Sequence, residues 1–76
     1  MRITIVDQLT SAAHDYNIGS AVLIGALVQV AASKLGREVD SRALALRTLR
    51  GQPLSPHTHV GAVCREGGIY TLGMTG

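Results

Sequence analysis

The feature that most limits this chain is the run from Ala21 to Ala32, twelve residues whose only polar side chain is Gln29. A bilayer-spanning helix needs roughly 20 apolar residues, so the run is too short to cross a membrane. It has to be buried within the fold or against a second copy. Ser20 stands before it as an N-cap and Gly36 after it as a stop, which predicts a helix over Ala21–Leu35. That helix is apolar almost all the way round, the mark of a central element or a dimer contact. The chain has 76 residues, one small domain covering 1–76. So small a domain leaves one side of such a helix without neighbours, and Leu23, Leu27 and Val30 are expected at a homodimer interface. Gly25, in mid-helix, costs about 1 kcal/mol relative to Ala, and close helix packing would account for it.

The flanking segments also read as helical. Thr4 followed by Asp7 has the form of a capping box. Ile5, Val6, Leu9, Ala12, Ala13 and Tyr16 then share one face, so a helix is expected over Ile5–Asn17. The rival reading makes Arg2–Val6 a β-branched edge strand. Asp40 caps a third expected helix, Ser41–Arg50, with Ala45, Leu46 and Leu49 inward and Gly51 closing it. Ser55 and Pro56 take the N-cap and first-turn positions of a fourth, Pro56 to about Glu66, ended by Gly67 and Gly68. Ile69–Leu72 is a short strand. A hairpin pairing His59–Cys64 with Ile69–Met74 is nearly as good a reading, because Val60, Val63, Ile69, Tyr70 and Thr71 favour strands. The fold class expected is therefore mainly α: a small four-helix domain with a helix-turn-helix-like C-terminal half and a short terminal strand or hairpin.

Composition narrows the chemistry. The only aromatic residues are Tyr16 and Tyr70, so aliphatic side chains have to build the core. The single cysteine, Cys64, excludes an internal disulfide framework and a four-cysteine zinc site. Met1–Asp15 lacks the apolar region of a signal peptide, and with one free thiol a cytoplasmic location is expected. His57, His59 and Cys64 invite a metal reading, but no Cys-x-x-Cys anchors it and His14 would have to join from afar. Cys64 beside a histidine suggests a nucleophile and base, yet no spacing supplies an oxyanion hole or an orienting third group. Gly61, Gly67 and Gly68 fit no phosphate-binding loop. Neither enzyme activity, nor a cofactor, nor a metal is expected.

Charge is distributed unevenly. Net charge is only +2, but Lys34, Arg37, Arg42, Arg47, Arg50 and Arg65 all fall within residues 34–76, against Glu38, Asp40 and Glu66. Arg47 and Arg50, three apart, would project together from a helix. Clustered arginines of this kind supply phosphate contacts, or form an ordinary solvated face.

Two consecutive helices joined by a glycine-containing turn, the second opening Ser55-Pro56, have the outline of a helix-turn-helix. The stretch Gly51–Tyr70 resembles the recognition helix and following strand of winged-helix domains, with Val60 and Val63 or Cys64 inward and Gly67-Gly68 opening the wing. The resemblance spans about residues 40–70. It departs from the family in having Arg65 as the helix's only cation, Gly61 at mid-helix, and too few residues after Leu72 for a two-stranded wing. It implies His57, Thr58 and His59 at the groove-facing helix start, with Arg47, Arg50 and Arg65 on phosphates. The function expected on this basis is a small double-stranded-DNA-binding regulator acting as a homodimer. The alternative, from another class, is a module that binds and modulates a partner protein through its apolar helix or its C-terminal segment.

Overall fold

The computed structural model describes residues 1–8, 10–34 and 43–75. Its framework is a four-stranded sheet rather than a helical bundle. Strand β1 (Arg2–Asp7) forms an antiparallel hairpin with β2 (Ala13–Asn17), in the register Arg2↔Asn17 and Val6↔Ala13. A helix, α1 (Ile24–Lys34), follows. Strand β3 (Leu44–Thr48), the single turn of helix α2 (Val60–Val63) and strand β4 (Ile69–Met74) complete the order. The sheet runs β2-β1-β4-β3, with β4 parallel to β1 at its centre and antiparallel to β3.

Alternation along β1 explains this outcome. Ile3, Ile5 and Asp7 are buried, whereas Arg2 is exposed and Thr4 and Val6 are half-buried. A period of two with β-branched residues places one face of the strand on a core and the other outward. The same parity puts Tyr16, Leu44, Leu46, Tyr70 and Leu72 on the inner face, where they meet Ile24, Leu27, Val28, Ala31 and Ala32 of α1. Val60 and Cys64 close the core from α2. Ile3, Leu27, Leu46 and Leu72 are essentially without solvent contact, and each stabilises the fold by about 1.5–3 kcal/mol through burial.

The mainly α expectation is thereby overturned, and with it the helix-turn-helix. The expected helix Ile5–Asn17 is instead the β1–β2 hairpin. Its supposed capping box serves the hairpin: Thr4 Oγ1 donates to Asp15 Oδ1 across the strands at 2.7 Å, and Thr10 Oγ1 donates to Asp7 Oδ2 at 2.9 Å. Arg2–Val6 is extended, as in the rival reading, but it is a central strand and not an edge. The described part of the expected helix Ser41–Arg50 is β3 and the turn after it; Ser41, Arg42 and the Asp40 cap lie outside the described residues, as do Leu9, Leu35, Gly36, Arg37 and Glu38. Beyond β3 the chain doubles back, Thr48 N–H donating to the Gln52 carbonyl at 3.0 Å and Leu54 N–H to the Leu46 carbonyl at 2.8 Å. This return covers the outer edge of β3 and makes a bridge between Arg47 and Pro53. The expected recognition helix, Pro56–Glu66, contracts to the four residues of α2. Ile69–Leu72 is extended as expected, within a longer β4, but its partners are β1 and β3 and not His59–Cys64. Of the helices expected, the apolar one survives as α1.

Thr58–Gly61 is lashed to the start of α1. Ile24 N–H donates to the Thr58 carbonyl at 2.9 Å, Val60 N–H to the Val22 carbonyl at 2.8 Å, and Gly25 N–H to the Pro56 carbonyl at 3.0 Å. A Cβ on Gly25 would sit 3.2 Å from that carbonyl oxygen and 3.3 Å from the Pro56 Cβ. The glycine that interrupts the apolar run therefore marks a close approach of a loop to the helix.

Candidate functional site

Helix α1 covers one face of the sheet, and strand parity turns Arg2, Thr4, Val6, Ala45, Arg47, Ile69, Thr71 and Gly73 to the other. At the end of this outer face where β4 begins, a groove of about 490 Å³ opens between the turn after β3, helix α2 and the first residues of β4. Leu49, Val63 and Ile69 line it, 67%, 37% and 45% exposed respectively. Arg50, Arg65, Gln52, Thr48, Gly68 and the ring of Tyr70 complete its walls.

Each wall has a local cause. Leu49 and Arg50 occupy the turn in which Gly51, with φ of 84°, donates its N–H to the Thr48 carbonyl at 2.9 Å. Arg65 opens the Arg65–Gly68 turn, closed by the Gly68 N–H donating to the Arg65 carbonyl at 2.9 Å. The Arg65 N–H in turn donates to the Tyr70 hydroxyl at 2.8 Å, so a buried side chain of β4 fixes where Arg65 leaves the turn. Glu66, the next residue, faces away: its carboxylate accepts the backbone N–H of Arg2.

The residues expected to bind DNA are divided by the fold. Arg50 and Arg65 share the groove. Arg47 lies on the outer face but reaches toward the opposite end of β4, where an Nη donates to the Met74 carbonyl at 3.1 Å. His57 belongs to a second, larger and mainly apolar groove of about 740 Å³ between α1, β3 and the Pro53–His57 loop. Thr58 is half-buried and engaged through its carbonyl, and His59 precedes α2 in a bridge with Leu23. No recognition helix presents these three side chains together. The dimer set is divided as well. Leu23 and Val30 are exposed, but Leu27 has no accessible surface and packs in the core, so it is unavailable to a partner copy.

Cys64 is buried beside Tyr70, and desolvation pushes its thiol above the ordinary cysteine range, offset in part by a side-chain hydrogen bond with Tyr70. A thiol held protonated and out of solvent is a poor nucleophile. Among the described residues no group of three His, Cys, Asp or Glu side chains is arranged to hold a metal ion. No helix among them is long and apolar enough to cross a membrane.

Leu49, Val63 and Ile69 are surface residues that the sequence pattern does not single out: a helical Ser41–Arg50 turns Leu49 inward, and the winged-helix resemblance does the same for Val63. Alternation within β3, with Leu44 and Leu46 inward, was the available signal that this segment is a strand and that Leu49 falls in the turn beyond it.

Sheet order, the parallel central pair and the helix across one face define the ubiquitin-like class of mixed α/β folds. Among solved structures, Caldiarchaeum subterraneum ubiquitin superposes with a TM-score of 0.81 at 14% identity, over 100% of this chain and 94% of that one. A chain from the crystal structure of ATBAG1 in complex with HSP70 superposes with a TM-score of 0.79 at 13% identity, over 97% of this chain. The present chain spans 40% of that one's length. No protein-family model and no curated protein sequence matches the chain. At such identities the likeness establishes the fold alone.

Proposed function

We propose that this chain is a protein-interaction module that works by binding a partner rather than by catalysis, in the cytoplasm. The observation that carries the reading is the groove in which Leu49, Val63 and Ile69 converge from three separate elements. Scattered exposed apolar residues are ordinary on any surface; apolar residues gathered into one concavity are the pattern of a docking site. The second groove, between α1, β3 and the Pro53–His57 loop, adds further apolar surface. That a chain sharing this fold over 40% of its length comes from a complex with HSP70 agrees with a partner-binding role.

This reading keeps the C-terminal segment as the binding element, since β4 supplies Ile69. A regulator docking a helix-turn-helix on DNA is not carried forward, because the sheet occupies the residues it needs. Nor is a homodimer through Leu23, Leu27 and Val30, because Leu27 is a core residue. The experiment is a peptide-display selection against the folded domain, with anisotropy titrations of labelled random-sequence duplex at about 50 and 200 mM salt. Recovery of peptides whose affinity changes little between the two salt concentrations, with no duplex binding, is the expected result. Failure to recover any peptide, together with duplex binding that falls steeply with salt, would overturn it.

A further inference from the structure

We propose that the groove formed by Leu49, Val63, Ile69, Arg50 and Arg65 receives an acidic polypeptide segment carrying aliphatic side chains. The proposal rests on the interaction-module reading and specifies its partner.

Two properties of the groove set the chemistry. The first is the apolar part of its lining. Leu49 comes from the turn after β3, Val63 from α2 and Ile69 from β4, and all three remain accessible. Aliphatic side chains of a partner would displace water from all three at once. The second is positive charge that no described acidic side chain pairs with. Arg50 and Arg65 are exposed on the same walls, and neither has an acidic partner among the described residues. Glu66 follows Arg65 directly and is the obvious candidate to neutralise it. Its carboxylate is held by the Arg2 backbone instead, on the β1 side of the turn. Two guanidiniums beside exposed apolar side chains select carboxylates, which they bind through paired N–H donors, flanking aliphatic residues.

Nucleic acid fits the same surface less well. Single strands are bound by stacking bases on exposed aromatic faces, and the groove's one aromatic ring, Tyr70, is buried with its hydroxyl engaged by Arg65 N–H. Two arginines also supply few phosphate contacts, and the apolar side chains have no counterpart on a duplex backbone.

The probe is an acetylated peptide of about eight residues alternating glutamate with leucine or valine; at ~3.3 Å per residue it reaches across the domain, whose longest extent is 27 Å. It is titrated into ¹⁵N-labelled protein, alongside a control peptide with glutamine for glutamate and a random-sequence duplex. Expected are shifts of the Leu49, Arg50, Val63 and Ile69 amides, with affinity about tenfold weaker for the glutamine control and for Arg50→Glu/Arg65→Glu. Leu49→Ser/Ile69→Ser is expected to weaken binding by about tenfold while leaving the charge in place. All four positions are exposed, and an unchanged core spectrum checks that the variants fold. Peptide shifts confined to other surfaces, or no shifts at all, would overturn the groove assignment and leave the interaction-module reading to the display selection. Full affinity in the charge-reversal variant would overturn the acidic partner. Shifts of the groove by duplex and not by peptide would overturn the proposal together with the reading beneath it.

Discussion

The backbone N–H of Gly61 donates to the carbonyl of Ser20 at 2.9 Å, bringing α2 into contact with the chain entering α1. A Cβ added at Gly61 would lie 2.7 Å from the Ser20 Cβ and 3.1 Å from its carbonyl oxygen. Neither atom is the movable tip of a long side chain, so the two segments would have to separate. Helix propensity alone favours Gly61→Ala by about 1 kcal/mol. The clash opposes it, and overpacking of this kind costs about 1–3 kcal/mol. Gly61→Ala is therefore expected to lower stability in urea unfolding, and a stabilised variant would refute the close approach.

Leu27 and Val30 stand three residues apart on α1 and have opposite fates. Leu27 is fully buried and Val30 half-exposed. Leu27→Ala is expected to cost about 2–5 kcal/mol, as a cavity in a packed core does. Val30→Ala is expected to change stability by no more than about 0.5 kcal/mol. Denaturant midpoints of the two variants, with sedimentation to follow the oligomeric state, separate a core role from an interface role. Equal and small losses would restore the interface for both.

What the sequence disclosed, and what it hid, follows from the range of the interactions. Helix α1 was legible because an apolar run that long satisfies its own backbone locally. Residues Arg2–Asp7 were ambiguous: Ile3, Ile5 and the half-buried Val6 fit a strand, while Ile5, Leu9, Ala12 and Tyr16 also fall at helical spacing. The pairing that decides is Ile5 with Tyr70, parallel and 65 residues apart, and nothing local announces it. Glycine was misleading for a related reason. Gly51 and Gly67 stop elements in either reading, but here they sit in the turns after β3 and before β4, both with positive φ. At the candidate groove, the basic character of Arg50 and Arg65 was visible. Their meeting with Leu49 and Ile69 depends on the sheet order, and was not.

Alkaline pH should loosen this domain. Burial raises the proton affinity of Cys64 and of Tyr70 above their ordinary values, and Tyr16 is raised in the same way. In each case the folded state retains a proton that the unfolded chain has already lost. The resulting stability is fully present below the unfolded values, about 8.5 for cysteine and 10 for tyrosine, and is lost as pH rises through the folded values. Urea midpoints are thus expected to hold near neutrality and to fall from about pH 8.5 upward. Cys64→Ala should make the early part of that fall shallower, whatever its effect at pH 7. An alkaline limb of the same slope in the variant would show that the thiol takes no part.

The Tyr70 hydroxyl connects the interior to the candidate groove, since it accepts the Arg65 N–H at 2.8 Å from a side chain rooted in the core. Tyr70→Phe preserves the ring and its packing but removes the acceptor. The half-buried N–H is then left without its partner, a loss of about 1–2 kcal/mol. Because the Arg65–Gly68 turn is otherwise held by its own hydrogen bond, from Gly68 N–H to the Arg65 carbonyl at 2.9 Å, the damage should stay local. Amide exchange at Arg65 should accelerate strongly in the variant, while the amides of the β1–β2 hairpin slow or quicken only with global stability. Unchanged protection at Arg65 would mean that the hydroxyl does not hold the turn, and that the placement of Arg65 on the groove wall comes from the backbone alone.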